Sequence, residues 1–342
     1  MAQLTAPRMT GLERYSIELI RALLRAAPRD VEVVPYIPAW ASPLLGNGCR
    51  VAPAHLARPL INEAWVAAQS RRDRVDLLHE AAFAPPQSLL DRSTMTVHDM
   101  VPWSLPHTRS TGARLYFAPA MGRALRNRRL RGLVADASVT LDAARARFGT
   151  TAPGRVAALA SSPLFTPDLE LPTSGPPFRL LTVGTLEPRK GLNVVEQAAT
   201  RLQRHGLPFT WRLVGRQGWA TTPPSGVEIL GPISDDDLVA EYRSAHLLVA
   251  PSLEEGFDLP VLEALACGTP VVASDIPVHK EHFGGVVSLA AVGDSAATAD
   301  AILQALQPED ARARLRRLAH AGTFSWDRTA AAVMDLWMEV VA

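Results

Sequence analysis

The sequence predicts an α/β fold of two Rossmann-like domains, each built on a doubly wound parallel sheet. At 342 residues, the chain is longer than one hydrophobic core usually supports, so two domains are the default. The second half alternates short apolar runs with helical stretches, which is typical of a parallel sheet covered by helices. The first half alternates in the same way, but less regularly.

The two halves join in a segment rich in proline and polar residues, "PLFTPDLELPTSGPPF" at 163–178. Such a composition marks a linker rather than a strand or helix. We therefore assign 1–163 to a first domain and 164–322 to a second. Residues 323–342 form a terminal helical segment that we expect to pack back on the first domain.

The second half contains short runs rich in Val, Leu and Ile, too short for helices and bounded by turn residues. The predicted strands are 178–184, 210–215, 227–231, 246–252, 270–274 and 285–289. The predicted helices lie near 192–204, 235–244, 260–267 and 294–306. This regular alternation predicts a parallel sheet.

The first half begins with "GLERYSIELIRALLRA" (11–26), whose apolar residues recur at helical spacing. The strands predicted after this amphipathic helix are 31–37, 75–81, 93–100 and 133–141. At the other end of the chain, "FSWDRTAAAVMDLWMEVVA" (324–342) is a second amphipathic helix.

Composition limits the cellular setting. The sequence shows no apolar run near the roughly 20 residues of a membrane span, and its first residues lack the apolar core of a signal peptide. Cys49 and Cys267 form no motif, which indicates a reducing compartment. We therefore expect a cytoplasmic protein.

The net charge of +1 hides an uneven distribution, because residues 1–163 hold 21 arginines against 12 acidic residues. The densest cluster is "RALRNRRLRG" (123–132). Two interpretations remain open: a solvated helix face, or a surface for an anionic acceptor or an anionic membrane. Nucleic acid is disfavoured because aromatic residues are not interleaved with the arginines.

Common cofactor motifs are absent from the sequence. There is neither a G-x-G-x-x-G after a strand nor a G-x-x-x-x-G-K-[ST], so a dehydrogenase or P-loop enzyme is disfavoured. "SDDDL" (234–238) fits a helix cap better than a divalent-ion site. His279 and His282 of "HKEH" have no third ligand nearby in sequence and are interpreted as a surface pair. No metal site is predicted.

"VGTLEPRKGLN" (183–193) is more informative. A predicted strand ends at Gly184, and Arg189 and Lys190 immediately precede a helix. In such sheets ligands bind at the carboxyl ends of strands, and helix N-termini attract anions. Lys190 is one of only two lysines, so the arginine-rich composition does not explain it. We predict that Arg189 and Lys190 clamp a diphosphate; a solvated loop is the alternative.

"EEGFDLPVLEALACGTPVV" (254–272) lies at the same predicted sheet edge. Pro260 suits the first position of a helix. Glu255 precedes that helix, and Glu263 lies one turn inside it, just outside the apolar face. Buried carboxylates need donors, which sugar or ribose hydroxyls supply. We predict that both glutamates face one ligand; the alternative is that both face solvent.

These segments together resemble a known family. Residues 180–290 are similar to the C-terminal domain of GT-B-fold retaining glycosyltransferases with an E-x7-E motif, the group 1 or family 4-like enzymes. The matching segments occur in the family's order: "VGTLEPRKG", "LVG", "ILGPISDDDLVAEYRSA", "PSLEEGFDLPVLEALACGTPVVASDIP" and "FSWDRTA". "GLERY" and "TVHDMVPWSLP" resemble segments of the family's N-terminal domain. The resemblance implies two Rossmann-like domains facing each other across a cleft.

The resemblance also implies roles for matching residues in the second domain. Glu255 would bind hydroxyls of the donor sugar, and Glu263 the nucleotide ribose. Arg189 and Lys190 would bind the donor diphosphate. The remaining implied donor-binding residues are Gly184 and Thr185, and the turn of Gly231, Pro232 and Ile233 beside the nucleobase. The loop of Gly256, Phe257, Asp258 and Leu259 would bring its backbone close to the sugar and phosphate.

In the first domain, His98 matches a histidine near the transferred sugar, so the implied catalytic residues are Glu255, His98, Arg189 and Lys190. A satisfied histidine at a strand end is the alternative for His98. Thr10 and Gly11 match the remnant of a Gly-rich loop that faces donor and acceptor, and Asp99 lies on the acceptor side.

Three departures from the family pattern bear on these roles. A second glycine near Gly11 is absent, and "ALASSPLFTPD" replaces the usual segment after the inter-domain crossing. Asp258 stands where the family often has glycine. That substitution adds a carboxylate beside the expected sugar, which bears on donor identity.

The resemblance implies transfer of a mannose-like or glucose-like hexose from a nucleoside diphosphate sugar to an acceptor hydroxyl, with retention and without a metal or bound cofactor. GDP-mannose is the favoured donor, and polysaccharide, glycolipid or another glycoconjugate is the product. The basic first domain suggests an anionic or lipid-linked acceptor and peripheral contact with the inner membrane face. The alternatives are a sugar-nucleotide epimerase of the same fold or a non-catalytic sugar-nucleotide-binding subunit.

Overall fold

The computed structural model describes residues 10–46, 48–52, 59–108, 111–168, 175–219 and 222–342. The chain divides into two compact units. Within the described residues, the first unit comprises 10–104, 111–159 and 325–342, and the second comprises 105–108 and 160–324. Both units carry parallel sheets with helices between the strands, which confirms the predicted α/β class.

The strands of the first unit pair in parallel. They are β1 (Tyr36–Pro38), β2 (Arg50–Ala52), β3 (Leu78–Glu80), β4 (Ser93–Val97), β5 (Gly132–Ala135) and β6 (Gly154–Val156). β1 pairs with β2, and the other four form one sheet in the order β3-β4-β5-β6. A cavity of about 520 Å³ is lined by residues from β1 and β3.

The helices of the first unit flank these strands. They are α1 (Gly11–Ala26), α2 (Ser42–Leu45), α3 (Pro59–Arg72), α4 (Val101–Ser104), α5 (Ala118–Arg126), which a π-helical turn at Ala113–Phe117 precedes, and α6 (Ser138–Phe148). α1 has the predicted bounds. Thr10 caps it reciprocally with Glu13, and Tyr15, Leu19 and Leu23 are on its buried face.

Strands in the first unit are shorter than the sequence predicts. The strand expected over 133–141 ends at Ala135, and Ser138 already begins α6. The β-branched residues Val139 and Thr140 favour a strand locally, but here they lie in a helix whose Leu141 and Ala144 reach the core. The prediction for 136–141 is therefore wrong.

The second unit contains one six-stranded parallel sheet. Its strands are β7 (Phe178–Val183), β8 (Phe209–Val214), β9 (Glu228–Gly231), β10 (Leu247–Ala250), β11 (Val271–Ser274) and β12 (Ser288–Ala290). Their spatial order is β12-β11-β10-β7-β8-β9. The first five lie within a residue or two of their predicted positions, whereas β12 begins three residues later than predicted. The central strands are buried because helices cover both faces.

The helices of the second unit include two that the sequence did not predict. The set is α7 (Leu192–Arg204), α8 (Asp235–Ser244), α9 (Leu259–Cys267), α10 (Pro277–Phe283), α11 (Ser295–Ala305) and α12 (Ala311–Ala321). Helices α10 and α12 are new. Ser234 caps α8 by accepting a hydrogen bond from the Asp237 amide, as the cap interpretation of "SDDDL" predicted.

The strand order of this sheet reverses between β7 and β10. The chain leaves β7 towards β8 on one side, and later returns to place β10 on the other side. In open α/β sheets the carboxyl ends of strands at such a reversal leave a crevice between diverging loops. The crevice above β7 and β10 is therefore the expected position of a ligand site.

The terminal helix α13 (Trp326–Val341) belongs to the first unit. Ser325 caps it, and the Thr329 hydroxyl donates to the Ala158 carbonyl at 2.6 Å. The Trp326 ring lies 6.1 Å from the ring of Tyr15 on α1. Among the described residues, no helix combines the length and apolar character needed to cross a membrane.

Gly191 provides a test of how closely the loops of the second unit approach. Its φ is +67°, and an added Cβ would lie 2.1 Å from the Pro251 carbonyl oxygen. We expect Gly191→Ala to lower the free energy of unfolding by more than the about 1–2 kcal/mol that a left-handed backbone alone costs, measured by thermal or denaturant unfolding.

Gly206→Ala is the matched control. Gly206 has a φ of +70° with nothing within 4 Å of an added Cβ, so only the backbone cost remains. Equal losses of stability in the two variants would show that the loops after β7 and β10 are not in close contact.

Candidate functional site

Loops following three neighbouring strands of the second unit lie together at one sheet edge. β7, β10 and β11 are adjacent and parallel, so their carboxyl ends point the same way. The Leu253 amide donates to the Arg189 carbonyl at 2.7 Å, which joins the loops after β10 and β7. The Ser274 hydroxyl donates to the Ser252 carbonyl at 2.5 Å, which joins β11 to the loop after β10.

Arg189, Lys190 and Glu255 form the ionic centre of these loops. Arg189 Nη1 lies 2.6 Å from Glu255 Oε2, and Lys190 Nζ lies 2.6 Å from Glu255 Oε1. All three side chains are largely buried, with exposed fractions of 16%, 11% and 7%. The solvated-loop alternative therefore does not describe this pair of cations, and Glu255 does not face open solvent.

Two further residues hold this centre, and the sequence did not identify either. The Ser252 hydroxyl donates to Glu255 Oε1 at 2.8 Å. Glu187 is buried, with its Oε1 2.5 Å from Arg189 Nε. Glu187 could have been identified from the motif "LEPRK", which places an acid close to the basic pair. A buried basic pair needs a negative counter-charge.

Asp258 binds the other side of Lys190. Lys190 Nζ is 3.4 Å from Asp258 Oδ1, and Asp258 Oδ2 is 3.1 Å from His279 Nε2. The other ring nitrogen of His279, Nδ1, lies 2.8 Å from the Ser274 carbonyl oxygen. Asp258 has a φ of +78°, a backbone conformation that glycine adopts freely and aspartate tolerates.

The prediction that His279 and His282 form a surface pair is wrong. Both are buried on α10, and His279 is fully inaccessible. His279 faces Asp258, whereas the His282 ring lies 4.7 Å from the Phe257 ring. The sequence did not show that the loop before α9 covers this face of α10.

Mutual attraction keeps the buried acids ionised. Burial alone raises the pKa of Glu255, but the charges of Arg189 and Lys190 outweigh it and lower the pKa below its ordinary 4.5. Burial also opposes ionisation of Asp258, yet Lys190 and His279 hold its pKa well below 3.8. Both carboxylates are therefore charged at neutral pH.

The buried bases are kept charged by the same interactions. Burial lowers the pKa of Lys190, but the charges of Asp258 and Glu255 outweigh it and raise the pKa above 10.5. For His279, burial again opposes the charged form, and the hydrogen bond and charge of Asp258 raise the pKa above 6.5. A buried site with several fixed charges is a candidate functional site.

Glu263 engages a different side chain from Glu255. The Tyr242 hydroxyl on α8 donates to Glu263 Oε2 at 3.0 Å, and both residues are buried. Burial and the charge of Glu263 raise the pKa of Tyr242 well above 10. That both glutamates face one ligand stays a prediction; Tyr242 is a neighbour of Glu263 that the sequence did not reveal.

The loop Gly256–Leu259 turns its side chains inward. Phe257 packs against the rings of His282, Phe283 and Phe324 at 4.7, 5.6 and 5.7 Å. Leu259 begins α9 and is buried. Because these side chains are used for packing, the backbone of the loop is the part available to a ligand. Its approach to the sugar and phosphate stays a prediction.

The remaining predicted donor residues lie on the neighbouring loops. A Cβ at Gly184 would be 3.0 Å from Lys190 Cε, so this glycine leaves room for the lysine. Thr185 is half-buried after β7. Gly231 ends β9 with a φ of +69°, followed by exposed Pro232 and half-buried Ile233.

In the first unit, His98 follows β4 and has both ring nitrogens engaged. Nδ1 lies 2.8 Å from Asp136 Oδ2, and Nε2 lies 2.7 Å from the Ala81 carbonyl oxygen. The Tyr15 ring contacts its edge at a centroid distance of 4.5 Å. Burial disfavours the charged form, but Asp136 outweighs it and raises the pKa of His98. These contacts agree with the alternative interpretation of His98, in which it is a histidine at a strand end whose hydrogen bonds are made within the protein. A role near the transferred sugar stays a prediction.

Other predicted acceptor-side residues serve as helix caps. Thr10 caps α1, and Gly11 is its first residue. Asp99 Oδ1 accepts a hydrogen bond from the Val101 amide at 3.0 Å at the start of α4. These contacts explain the local sequence, and an acceptor role for the three residues stays a prediction.

The basic cluster at 123–132 is partly neutralised within the first unit. Arg129 pairs with Asp91 at 2.8 Å. The Arg126 guanidinium lies 4.9 Å from the Phe148 ring centroid, and Arg131 donates to the Val340 carbonyl. Arg126 ends α5, whereas Arg129 and Arg131 lie between α5 and β5, so the predicted helix face extends only to Arg126.

The two lysines of the chain test how strongly the ionic centre depends on its charges. Lys190→Met removes the cation that contacts both Glu255 and Asp258. Removing one partner of a buried ion pair typically lowers the free energy of unfolding by about 3–5 kcal/mol, because a buried charge is left without a partner. We expect a loss of stability of that order by denaturant unfolding. The loss should shrink as pH falls, because protonation then removes the uncompensated carboxylate charge.

Lys280→Met is the control. Lys280 pairs with Asp275 at 2.9 Å, but its side chain is 60% exposed, and such pairs contribute about 0–1 kcal/mol. Similar stability losses in both variants would contradict the assignment of Lys190 as the buried counter-ion.

Comparisons with known proteins agree with the geometry. Residues 177–308, which include the whole ionic centre, match the family model of "Glycosyl transferases group 1". The chain is 29% identical to O-antigen chain mannosyltransferase B of Escherichia coli, over 93% of each chain. It is 34% identical to D-inositol 3-phosphate glycosyltransferase of Salinispora tropica, over 51% of this chain and 40% of that protein.

The overall fold also has a solved counterpart. Sucrose-phosphate synthase from Thermosynechococcus elongatus superposes with a TM-score of 0.70 over 97% of this chain and 94% of that one, at 20% identity. This likeness confirms the GT-B fold class inferred from the sequence. Residues 177–308 are therefore similar to the group 1 glycosyltransferases, and relatives of the chain are named as glycosyltransferases.

Proposed function

We propose that the protein transfers a hexose from a nucleoside diphosphate sugar to an acceptor hydroxyl, with retention of anomeric configuration. The observation that carries this proposal is the buried cluster of Arg189, Lys190 and Glu255. It lies above β7 and β10, where the strand order reverses. Ligands of open α/β sheets bind at this position.

The leaving diphosphate is the group that this cluster suits best. Arg189 and Lys190 precede α7, and the loop after β10 leads into α9. Two fixed cations next to helix N-termini attract a diphosphate. They would stabilise the negative charge that develops as the sugar–phosphate bond breaks, a contribution of about 3–4 kcal/mol per preorganised donor. In this proposal they act in place of a divalent ion.

Glu255 would orient the donor sugar. Its carboxylate is held by Arg189, Lys190 and Ser252, so its position is fixed before a ligand arrives. A carboxylate has about four lone-pair sites; these three contacts use three of them, and the second lone pair of Oε2 would accept a hydrogen bond from a sugar hydroxyl. Fixed orientation matters because a small displacement of the reacting carbon is costly in rate.

The proposed reaction needs no covalent intermediate. The acceptor oxygen forms a bond to the anomeric carbon on the same face from which the diphosphate departs. The anomeric carbon–oxygen bond to the phosphate breaks, and the acceptor proton passes to the leaving phosphate oxygen. The products are the glycosylated acceptor and the nucleoside diphosphate.

Relatives guide the choice of substrates. One relative is named as an O-antigen chain mannosyltransferase, which supports a mannose-like donor, GDP-mannose first, and a role in polysaccharide or glycolipid synthesis. Another is named for D-inositol 3-phosphate, which supports an anionic acceptor. We propose that the reaction takes place in the cytoplasm, with a lipid-linked acceptor reached at the inner membrane face.

A panel of sugar nucleotides tests the proposal. Purified protein is incubated with GDP-mannose, UDP-glucose and related donors, and binding, nucleoside diphosphate release and the anomeric configuration of the product are measured. Tight binding of one donor and a retained product are expected. Conversion of the sugar nucleotide without an acceptor would indicate an epimerase. Binding without turnover for any acceptor would indicate a non-catalytic subunit.

Glu255→Gln tests the assignment of the site. The amide keeps the size of the side chain but removes its charge and one acceptor oxygen, so we expect transfer to fall at least about tenfold. Glu196→Gln is the control, because Glu196 lies on α7 and bonds to Ser225 away from the cluster. Equal activity in Glu255→Gln and the control would remove Glu255 from the site.

A further inference from the structure

His279 and Asp258 form a buried pair that the proposed reaction does not yet use. Their exposed side-chain fractions are 0% and 1%. Asp258 bridges His279 and Lys190, with contacts of 3.1 and 3.4 Å. Because Lys190 is a proposed diphosphate ligand, the pair lies one side chain away from the donor.

The hydrogen bonds determine the charge of His279. Nδ1 faces the Ser274 carbonyl at 2.8 Å, and a carbonyl only accepts, so Nδ1 carries a proton. Nε2 faces an oxygen of Asp258, whose other oxygen faces the Lys190 ammonium. With a cation at that distance the carboxylate stays ionised, so Nε2 is a donor as well. His279 is therefore an imidazolium.

Among the ionic contacts described for this cluster, the charges balance when His279 is an imidazolium. The positive groups are Arg189, Lys190 and His279, and the negative groups that contact them are Glu187, Glu255 and Asp258. With His279 neutral, the cluster would carry one excess negative charge. That charge would lie beside the position proposed for the donor diphosphate.

We propose that His279 is a positioning residue of the donor site: its buried positive charge neutralises Asp258, so that Lys190 keeps its place and its attraction for the diphosphate. This inference rests on the proposed function. It also gives Asp258 a role different from the sugar contact suggested by the sequence, because both of its oxygens face cations of the protein.

The proposal implies a pH dependence of donor binding. The groups near His279 are Asp258 and Glu255 from the loop after β10, Lys190 from the loop after β7, and Lys280, Glu281 and His282 on its own helix. The pKa of His279 is raised above 6.5, so its contribution is complete below pH 6.5 and is lost as pH rises through the raised value.

Three variants separate charge from structure, with GDP and UDP as probes in calorimetric titrations. His279→Gln removes the charge and keeps a donor for Asp258, and we expect the dissociation constant to rise at least about tenfold. Asp258→Asn with His279→Gln removes one charge of each sign, and asparagine tolerates the positive φ. Affinity in this double variant should recover to within about threefold of the unsubstituted protein. Lys280→Gln should change nothing, because the Lys280 side chain is 60% exposed.

The pH profile adds a second readout. Above the pKa of His279, donor binding by the unsubstituted protein should weaken more steeply with pH than donor binding by the double variant. Titration of GDP or UDP itself affects both proteins equally and therefore cancels in this comparison. Affinity unchanged in His279→Gln, or a double variant weaker than the single one, would overturn the positioning role.

A third measurement determines the charge of His279 in the unsubstituted protein without a ligand. The ring nitrogens of His279 are observed by ¹⁵N NMR below pH 6.5, and two protonated nitrogens are expected. A neutral ring would overturn the inference even if the protein proves to be a glycosyltransferase. If the ring is charged but neither GDP nor UDP binds, the proposed nucleoside diphosphate donor is contradicted. The assignment of His279 as a buried cation is then still supported.

Discussion

The second unit depends on one constraint: buried cations must be matched by buried carboxylates. Arg189 and Lys190 are largely removed from water, and each contacts Glu255 at 2.6 Å. An unmatched charge at this depth would cost several kcal/mol. The carboxylate partners come from the loops after β7 and β10, and His279 lies on α10 after β11, so the three adjacent strands must keep their order for the charges to meet. Fold and site are therefore coupled through the same contacts.

The need to match buried charges also explains why certain residues occur at positions where hydrophobic packing alone does not require them. Gly191 lets the loop before α7 approach the Pro251 carbonyl, which brings Lys190 to Glu255. Asp258 occupies a left-handed backbone position where glycine would be easier, and it gains two ionic contacts there. His279, a histidine without solvent contact, is stable as a cation because Asp258 faces it. A donor diphosphate would enter a site that is charged but balanced.

Sequence patterns predicted the second unit well and the first unit less well. The strands around Leu180 and Val249 and the helix carrying Glu263 follow from local apolar periodicity, which survives folding because both sheet faces are buried. The ionic partners of the cluster could be predicted only in part. Glu255 follows from the motif, whereas His279, which pairs with Asp258, lies on α10 after a third strand, and local spacing does not connect it to the motif. Val139 and Thr140 favoured a strand by propensity, and packing of α6 overrode that preference.

The central claim is that the buried cations at the ends of β7 and β10 bind a diphosphate. A crystal structure of the protein with GDP tests it most directly. The account predicts phosphate oxygens within hydrogen-bonding distance of Arg189 and Lys190, with Asp258 still between Lys190 and His279. A diphosphate bound elsewhere, with the contacts of Glu255 unchanged from those described, would contradict it.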